Sequence, residues 1–190
     1  MSMIQSLEKR RTYYQINRNL PVSEEEVFTI IRKVTELTPD AFNMKSARVV
    51  VVTGEKQDQL WNCVYDAFGG QIDRDKINRF QNGYGTVLYF TDEEVVKSYQ
   101  EQFTLYADNF PVWANQANGM LQSNIWTAFR EVGVGASLQH YNPVIDETVS
   151  SFFDIPLTWK LVAQMPFGGI DAEPGQKEKE DINKRVIVKR

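Results

Sequence analysis

Residues 110–132 constrain the fold of this chain more than any other stretch. Phe110, Ala114, Ala117, Leu121, Ile125, Ala128 and Val132 recur every three or four residues, the spacing of one helix face. Trp113, Met120, Trp126 and Phe129 widen that stripe well past the roughly 100° of a surface helix. A helix this apolar is expected to be buried nearly all round, either at the centre of the domain or between two copies of the chain. The 190 residues suffice for one domain spanning 1–190 with a substantial core.

Helices and strands alternate around it. Residues 3–11 read as a short helix ending in Lys9-Arg10-Arg11. Ser23 and Glu26 form a capping-box pattern before Val27, Ile30, Ile31, Val34 and Leu37, and Pro39 stops that helix. Val49-Val50-Val51-Val52 reads as a strand buried on both faces, followed by a helix over 55–68. Residues 69–85, bracketed by glycines, read as a loop or mobile helix, either a lid or merely a flexible connection. Thr86 to Phe90 is a second buried strand, with Asp92 capping the next helix. Ser137-Leu138 is extended, a helix is expected near 143–153, and 159–163 is a third strand. After the polar segment 171–184, Val186-Ile187-Val188 reads as a terminal strand able to pair with a sheet edge on another chain. The class is α/β or α+β.

Several functions are disfavoured at this level. The net charge is −4 and no Lys/Arg block or Cys/His finger spacing occurs, so nucleic-acid binding has little support. The single histidine, His140, and single cysteine, Cys63, cannot build a zinc or copper site of usual composition. Cys63, beside Leu60, Trp61 and Val64, reads as a structural thiol. No signal-peptide core or membrane-length apolar run is present, and a cytoplasmic protein without a membrane partner is expected. No Gly-x-Ser-x-Gly elbow presents a nucleophile. Gly133-Val134-Gly135 begins like a dinucleotide fingerprint, but it follows a helix and reads better as a helix C-cap and turn.

Three pieces remain that can carry chemistry. Arg10, Arg11 and Thr12, followed by Tyr14, offer two guanidinium forks and a hydroxyl suited to a phosphomonoester, or form only a solvated helix end. Pro39-Asp40-Ala41-Phe42-Asn43-Met44-Lys45-Ser46 is a loop before a strand, either an ordinary connection or a place where Asn43 and Lys45 meet a ligand. Ala136-Ser137-Leu138-Gln139-His140 sends backbone amides and polar side chains out of a buried segment.

In this order the pieces resemble the FMN-dependent nitroreductase family, and within it the small branch of fatty-acid-repression and yeast Frm2-like proteins. Arg10-Arg11-Thr12 and the Pro39-to-Asn43 loop match that branch. So do the stretch from Trp113 to Asn142-Pro143, the run Ala163-Gln164-Met165-Pro166-Phe167-Gly168, and Lys184-Arg185-Val186. The resemblance implies an α+β fold in which helices flank a mainly antiparallel sheet, and an intertwined homodimer with the C-terminal strand exchanged. It also implies FMN bound in a groove contacted by both chains. By that likeness Arg10, Thr12 and Arg185 hold the phosphate, and Arg11 and Tyr14 the ribityl chain and ring edge. Phe42, Asn43 and Lys45 meet the pyrimidine side, and Leu138, Gln139 and His140 lie along the flavin face.

The function implied is NAD(P)H-dependent reduction of small nitroaromatic or quinone-like acceptors by a ping-pong scheme, with no catalytic side chain beyond the flavin. The alternative is a flavin-holding regulatory or stress-response protein, linked to lipid or redox signalling, with only incidental turnover. His140 stays open between a structural role and a flavin or substrate contact. Trp113, Trp126 and Phe129 stay open between core, dimer interface and an aromatic stack on substrate.

Overall fold

The computed structural model describes residues 2–178 and 180–190. Its centre is β5 (Trp159–Ile170), twelve residues long, flanked along most of its length by β3 (Gly85–Asp92). β2 (Ala47–Thr53) pairs with the far side of β3. Two short strands, β1 (Ile16–Asn17) and β4 (Gly135–Ala136), pair with the last third of β5. The sheet order is β1-β5-β3-β2 with β4 also on β5, and every strand pair is antiparallel. That settles the class as α+β.

Every residue of β3 is buried, because helices cover both faces of the sheet. Strand alternation divides its side chains between two cores. Val87 and Tyr89 point with Ala163, Met165 and Phe167 toward α2 (Glu24–Leu37) and α6 (Phe110–Glu131). Leu88 and Phe90 point with Leu161 toward α3 (Glu55–Ala67), α4 (Arg74–Gln81) and α7 (Asp146–Phe153). A third, smaller cluster joins α5 (Glu93–Gln102) to the start of α6 through Val96, Phe110 and Ala114. The short α1 (Met3–Lys9) lies against α6. No helix among the described residues is long and apolar enough to cross a membrane.

Two expectations, for β2 and for the tail strand, change, and two, for α6 and for residues 69–85, narrow. The valine run of β2 is half-buried rather than enclosed, with only Val52 fully covered, because β2 is the sheet edge. α6 buries its Phe110-to-Phe129 stripe, but Pro111, Val112, Gln116 and Met120 are exposed, so one chain does not enclose it. Within residues 69–85 a regular helix, α4, forms and packs Ile77 and Phe80 into the core. Val186, Ile187 and Val188 form no strand within the chain and are 56%, 75% and 71% exposed. Three isolated apolar residues gain nothing from strand geometry without a neighbouring strand to pair with.

Both predicted helices carry the expected N-cap, although only the forward half of the capping box forms at Ser23 among the described residues. Ser23 accepts from the Glu26 N–H and Asp92 from the Glu94 N–H. Gly133, at φ +83°, ends α6 as expected: its N–H reaches Arg130 and the Val134 N–H reaches Phe129, the paired bonds of a Schellman cap.

Candidate active site

The end of α6 brings two of the three pieces together. Beyond the cap, residues 135–139 run along β5: Ser137 N–H donates to Pro166 O, and Gln139 and Gln164 exchange backbone hydrogen bonds at 2.7 and 3.0 Å. Residues 10–13 leave α1 and lie against this segment, with Thr12 bridged to Ala136 and Tyr13 N–H donating to Ala136 O at 3.0 Å. Glycines permit the approach. A Cβ on Gly135 would stand 2.6 Å from Ile170 Cγ1 and 3.2 Å from Tyr13 Cβ, and one on Gly168 would stand 2.2 Å from Asn17 O. The Gly133-to-Gly135 stretch thus ends a helix and opens space for the N-terminal arm.

Arg10, Arg11 and Thr12 are half-buried there. The Arg10 guanidinium lies over the Trp126 ring at 4.3 Å, and Arg11 Nη2 donates to Gly175 O at 2.6 Å. Among the described residues neither arginine has a carboxylate partner, whereas Arg18, Arg32, Arg48, Arg130 and Arg185 each do. Burial, and then the charge of Arg11, hold Arg10 below its ordinary pKa, so the neighbourhood resists positive charge. An anion placed there would relieve that resistance. Two adjacent, partly desolvated guanidinium groups of this kind suit a phosphate. Tyr14 is exposed with its ring 6.3 Å from Phe80.

In the other piece, the Gln139 side chain is buried and donates to Ser137 Oγ at 3.0 Å, Leu138 is half-buried, and His140 is exposed. Arg185 sits in the 3₁₀ turn region at the tail, ion-paired with Glu180, and makes no hydrogen bond to residues 10–12 among the described residues. The expected meeting of Arg185 with Arg10 and Thr12 is therefore not made by hydrogen bonds within the single chain among the described residues. The start of the tail does reach the arm. Arg130 Nε donates to Tyr13 Oη at 3.0 Å, and Tyr13 Oη donates to Glu173 Oε2 at 3.1 Å.

The third piece lies elsewhere. Phe42, Asn43 and Lys45 are exposed around a 3₁₀ turn, Ala41–Asn43, and all three adopt left-handed backbone with φ of 54–55°. Such strain in non-glycine residues persists only where surroundings enforce it, and it concentrates at functional sites. Here Asp40 Oδ2 accepts from both the N–H and the hydroxyl of Ser46, clamping the loop across its base. Phe42 stacks 5.8 Å from Trp113 and edge-on to Phe110. Asn43 and Lys45 border a groove of about 280 Å³ with Ala117 and Leu121. Ala117 and Trp126 are nine residues apart on α6, a half-turn out of phase at 3.6 residues per turn. The Asn43 loop and the Arg10 arm therefore occupy opposite sides of one helix.

Trp126 and Arg130 were not expected to belong to the arm's surroundings. Their i, i+4 spacing places them on one face of α6, which is a signal the sequence does hold. Cys63 is partly buried, and burial pushes its thiol upward, in keeping with a structural role.

Comparison with known proteins decides the family. The sequence profile of the Nitroreductase family matches residues 7–169. The chain belongs to the nitroreductase family. Two relatives come from Saccharomyces cerevisiae. The nitroreductase HBN1 is 32% identical over 92% of this chain and 91% of its own. The nitroreductase FRM2 is 31% identical over 97% and 95%. The Frm2-like resemblance thus extends over nearly the whole sequence. The nitroreductase CinD from Lactococcus lactis, solved in complex with chloramphenicol, superposes over 100% of both chains with TM-score 0.95 and 45% identity. Its complex with 4-nitrophenol gives 0.94 at 45%. A nitroreductase-like structure from Desulfovibrio desulfuricans, 16% identical with TM-score 0.74, shares the fold and was solved in complex with FMN. As a member of this family the chain is an oxidoreductase.

Proposed function

We propose that this nitroreductase-family chain is an FMN-dependent NAD(P)H oxidoreductase that serves nitroaromatic or quinone-like acceptors. One observation carries the reading. Arg10 and Arg11 are half-buried, lack carboxylate partners among the described residues, and belong to an arm that abuts the extended segment running from Ala136 to His140. Such a pair fits a phosphate, and the adjoining strand fits a flat ring laid along it. Arg10 and Thr12 would bind the phosphate, with Arg185 joining them from the tail, and Arg11 and Tyr14 would take the ribityl chain and ring edge. Leu138, Gln139 and His140 would border the ring face. FMN, when bound by these residues, would supply the hydride-transfer chemistry between NAD(P)H and the acceptor. The chain's own residues bind, orient and set charge. Lys45 beside Asn43 would set a positive group where reduction of the ring builds negative charge.

The placement of Asn43 on the far side of α6 favours a flavin site completed by a second copy. In such a homodimer the arm of one chain and the Phe42–Lys45 loop of its partner approach the same cofactor. Donor and acceptor then use one open site by turns, a ping-pong scheme with parallel initial-velocity lines. The complexes of the L. lactis protein with 4-nitrophenol and nicotinic acid support a site that admits nitroarenes and nicotinamide-like rings.

The deciding experiment is an anaerobic absorbance spectrum of the purified protein before and after NADPH or NADH. A flavin spectrum that bleaches, and returns with a nitroarene or quinone at roughly 1–1000 per second, is expected. No flavin uptake after FMN is added would overturn the reading. Flavin that neither nucleotide reduces would favour a regulatory, flavin-holding role.

A further inference from the structure

Trp126 ties together both walls of the proposed phosphate site. Its ring face lies under the Arg10 guanidinium at 4.3 Å, and its indole N–H donates to Ala136 O at 3.1 Å. Ala136 O also accepts from Tyr13 N–H at 3.0 Å, so one carbonyl joins the arm, the helix and the extended segment. The indole is therefore oriented by a directional bond before it meets the arginine.

A stacked guanidinium uses its face for the aromatic ring and keeps its in-plane N–H edge for hydrogen bonds. Among the described residues the Arg10 side chain makes no hydrogen bond and no ion pair, so that edge remains available. Arginine is long and rich in rotamers, and fixing it before the ligand arrives removes a cost from binding. One turn further along α6, Arg130 is occupied with Tyr13 and Glu173 and does not compete for the same ring.

We infer that Trp126 is a positioning residue that presets Arg10 for the phosphate of the flavin. The inference rests on the proposed FMN site. It assigns to Trp126 the choice of a phosphorylated over an unphosphorylated flavin, rather than binding of the ring.

The test uses the full chain freed of flavin and titrated with FMN and with riboflavin, which lacks the phosphate. The parent protein should prefer FMN. In Trp126→Leu that preference should fall about tenfold while riboflavin affinity stays within about twofold. Trp126→Phe, which retains a ring face without the indole N–H, should recover part of the preference and guards against a leucine variant that fails to fold. Equal weakening of both ligands, or an unchanged preference, would overturn the positioning role. A parent protein that binds both flavins alike would instead overturn the phosphate reading of Arg10, which no result with the Trp126 variants could mimic.

Discussion

Thr86 stands on β3, where both faces are covered, and its hydroxyl joins two buried side chains. Trp61 Nε1 donates to it at 3.0 Å, and it donates to Gln57 Oε1 at 2.7 Å. Gln57 Nε2 completes the chain by donating to Phe80 O at 2.9 Å. All four residues are fully buried, so each polar group depends on its neighbour. Thr86→Val keeps the shape and deletes the junction, leaving an indole N–H and an amide oxygen without partners. A loss of about 1–3 kcal/mol is expected from urea unfolding. An unchanged midpoint would mean that the two groups find water or each other. Nothing in the hydrophobic pattern marks this threonine, because a β-branched residue in a strand is ordinary whichever way its hydroxyl points. The left-handed Phe42 and Lys45 were likewise hidden. Their conformation is imposed by the Asp40–Ser46 clamp and the aromatic cluster around Phe42, which are tertiary contacts rather than local preferences.

At the scale of elements, what is local in sequence was legible. Ser23, Asp92 and Gly133 announce helix ends because a cap satisfies backbone groups within a few residues of itself. The extent of burial was not, since it depends on what packs from elsewhere. Four valines in a row describe an enclosed strand equally well as an edge strand waiting for cover, and β2 is the second. The site divides in the same way. Arg10, Thr12 and residues 136–139 meet because Gly133 turns the chain out of α6 directly into the extended segment. The Asn43 loop could not be placed from spacing, because its side of α6 is a matter of packing. Gly133 is therefore a sharp test of the first half. A Cβ there would meet Pro21 only at an ordinary 3.4 Å, so Gly133→Ala is penalised by its φ of +83° rather than by collision. The expected cost is about 1 kcal/mol, a fall of roughly 2–4 °C in thermal midpoint for a chain of this size. A stability equal to the parent's would show that the cap is not fixed by glycine's freedom.

At the scale of the whole molecule, several apolar surfaces stay exposed among the described residues after one chain has folded, and three of them bear on assembly. The seven-residue edge strand β2, paired with β3 on one side only, runs beside a groove of about 550 Å³ whose lining includes Phe28, Ile31, Val49, Val51 and Trp159. The outer side of α6 leaves Val112 and Met120 open, and the tail carries Val186, Ile187 and Val188 into solvent. A long apolar sheet edge invites pairing, and a closed twofold assembly satisfies it without forming fibres. The proposed homodimer would answer these demands if the tail of each chain crossed to its partner, and it would also bring the two separated halves of the proposed flavin site together. Light scattering should then give a mass about twice the 22.0 kDa of one chain. Ile187→Asp, which puts a charge in the crossing segment, should raise the monomer fraction and release flavin in the same concentration range. The two effects must run together if the site is shared between chains. A monomer that retains its flavin would separate cofactor binding from assembly and place every essential contact within a single chain.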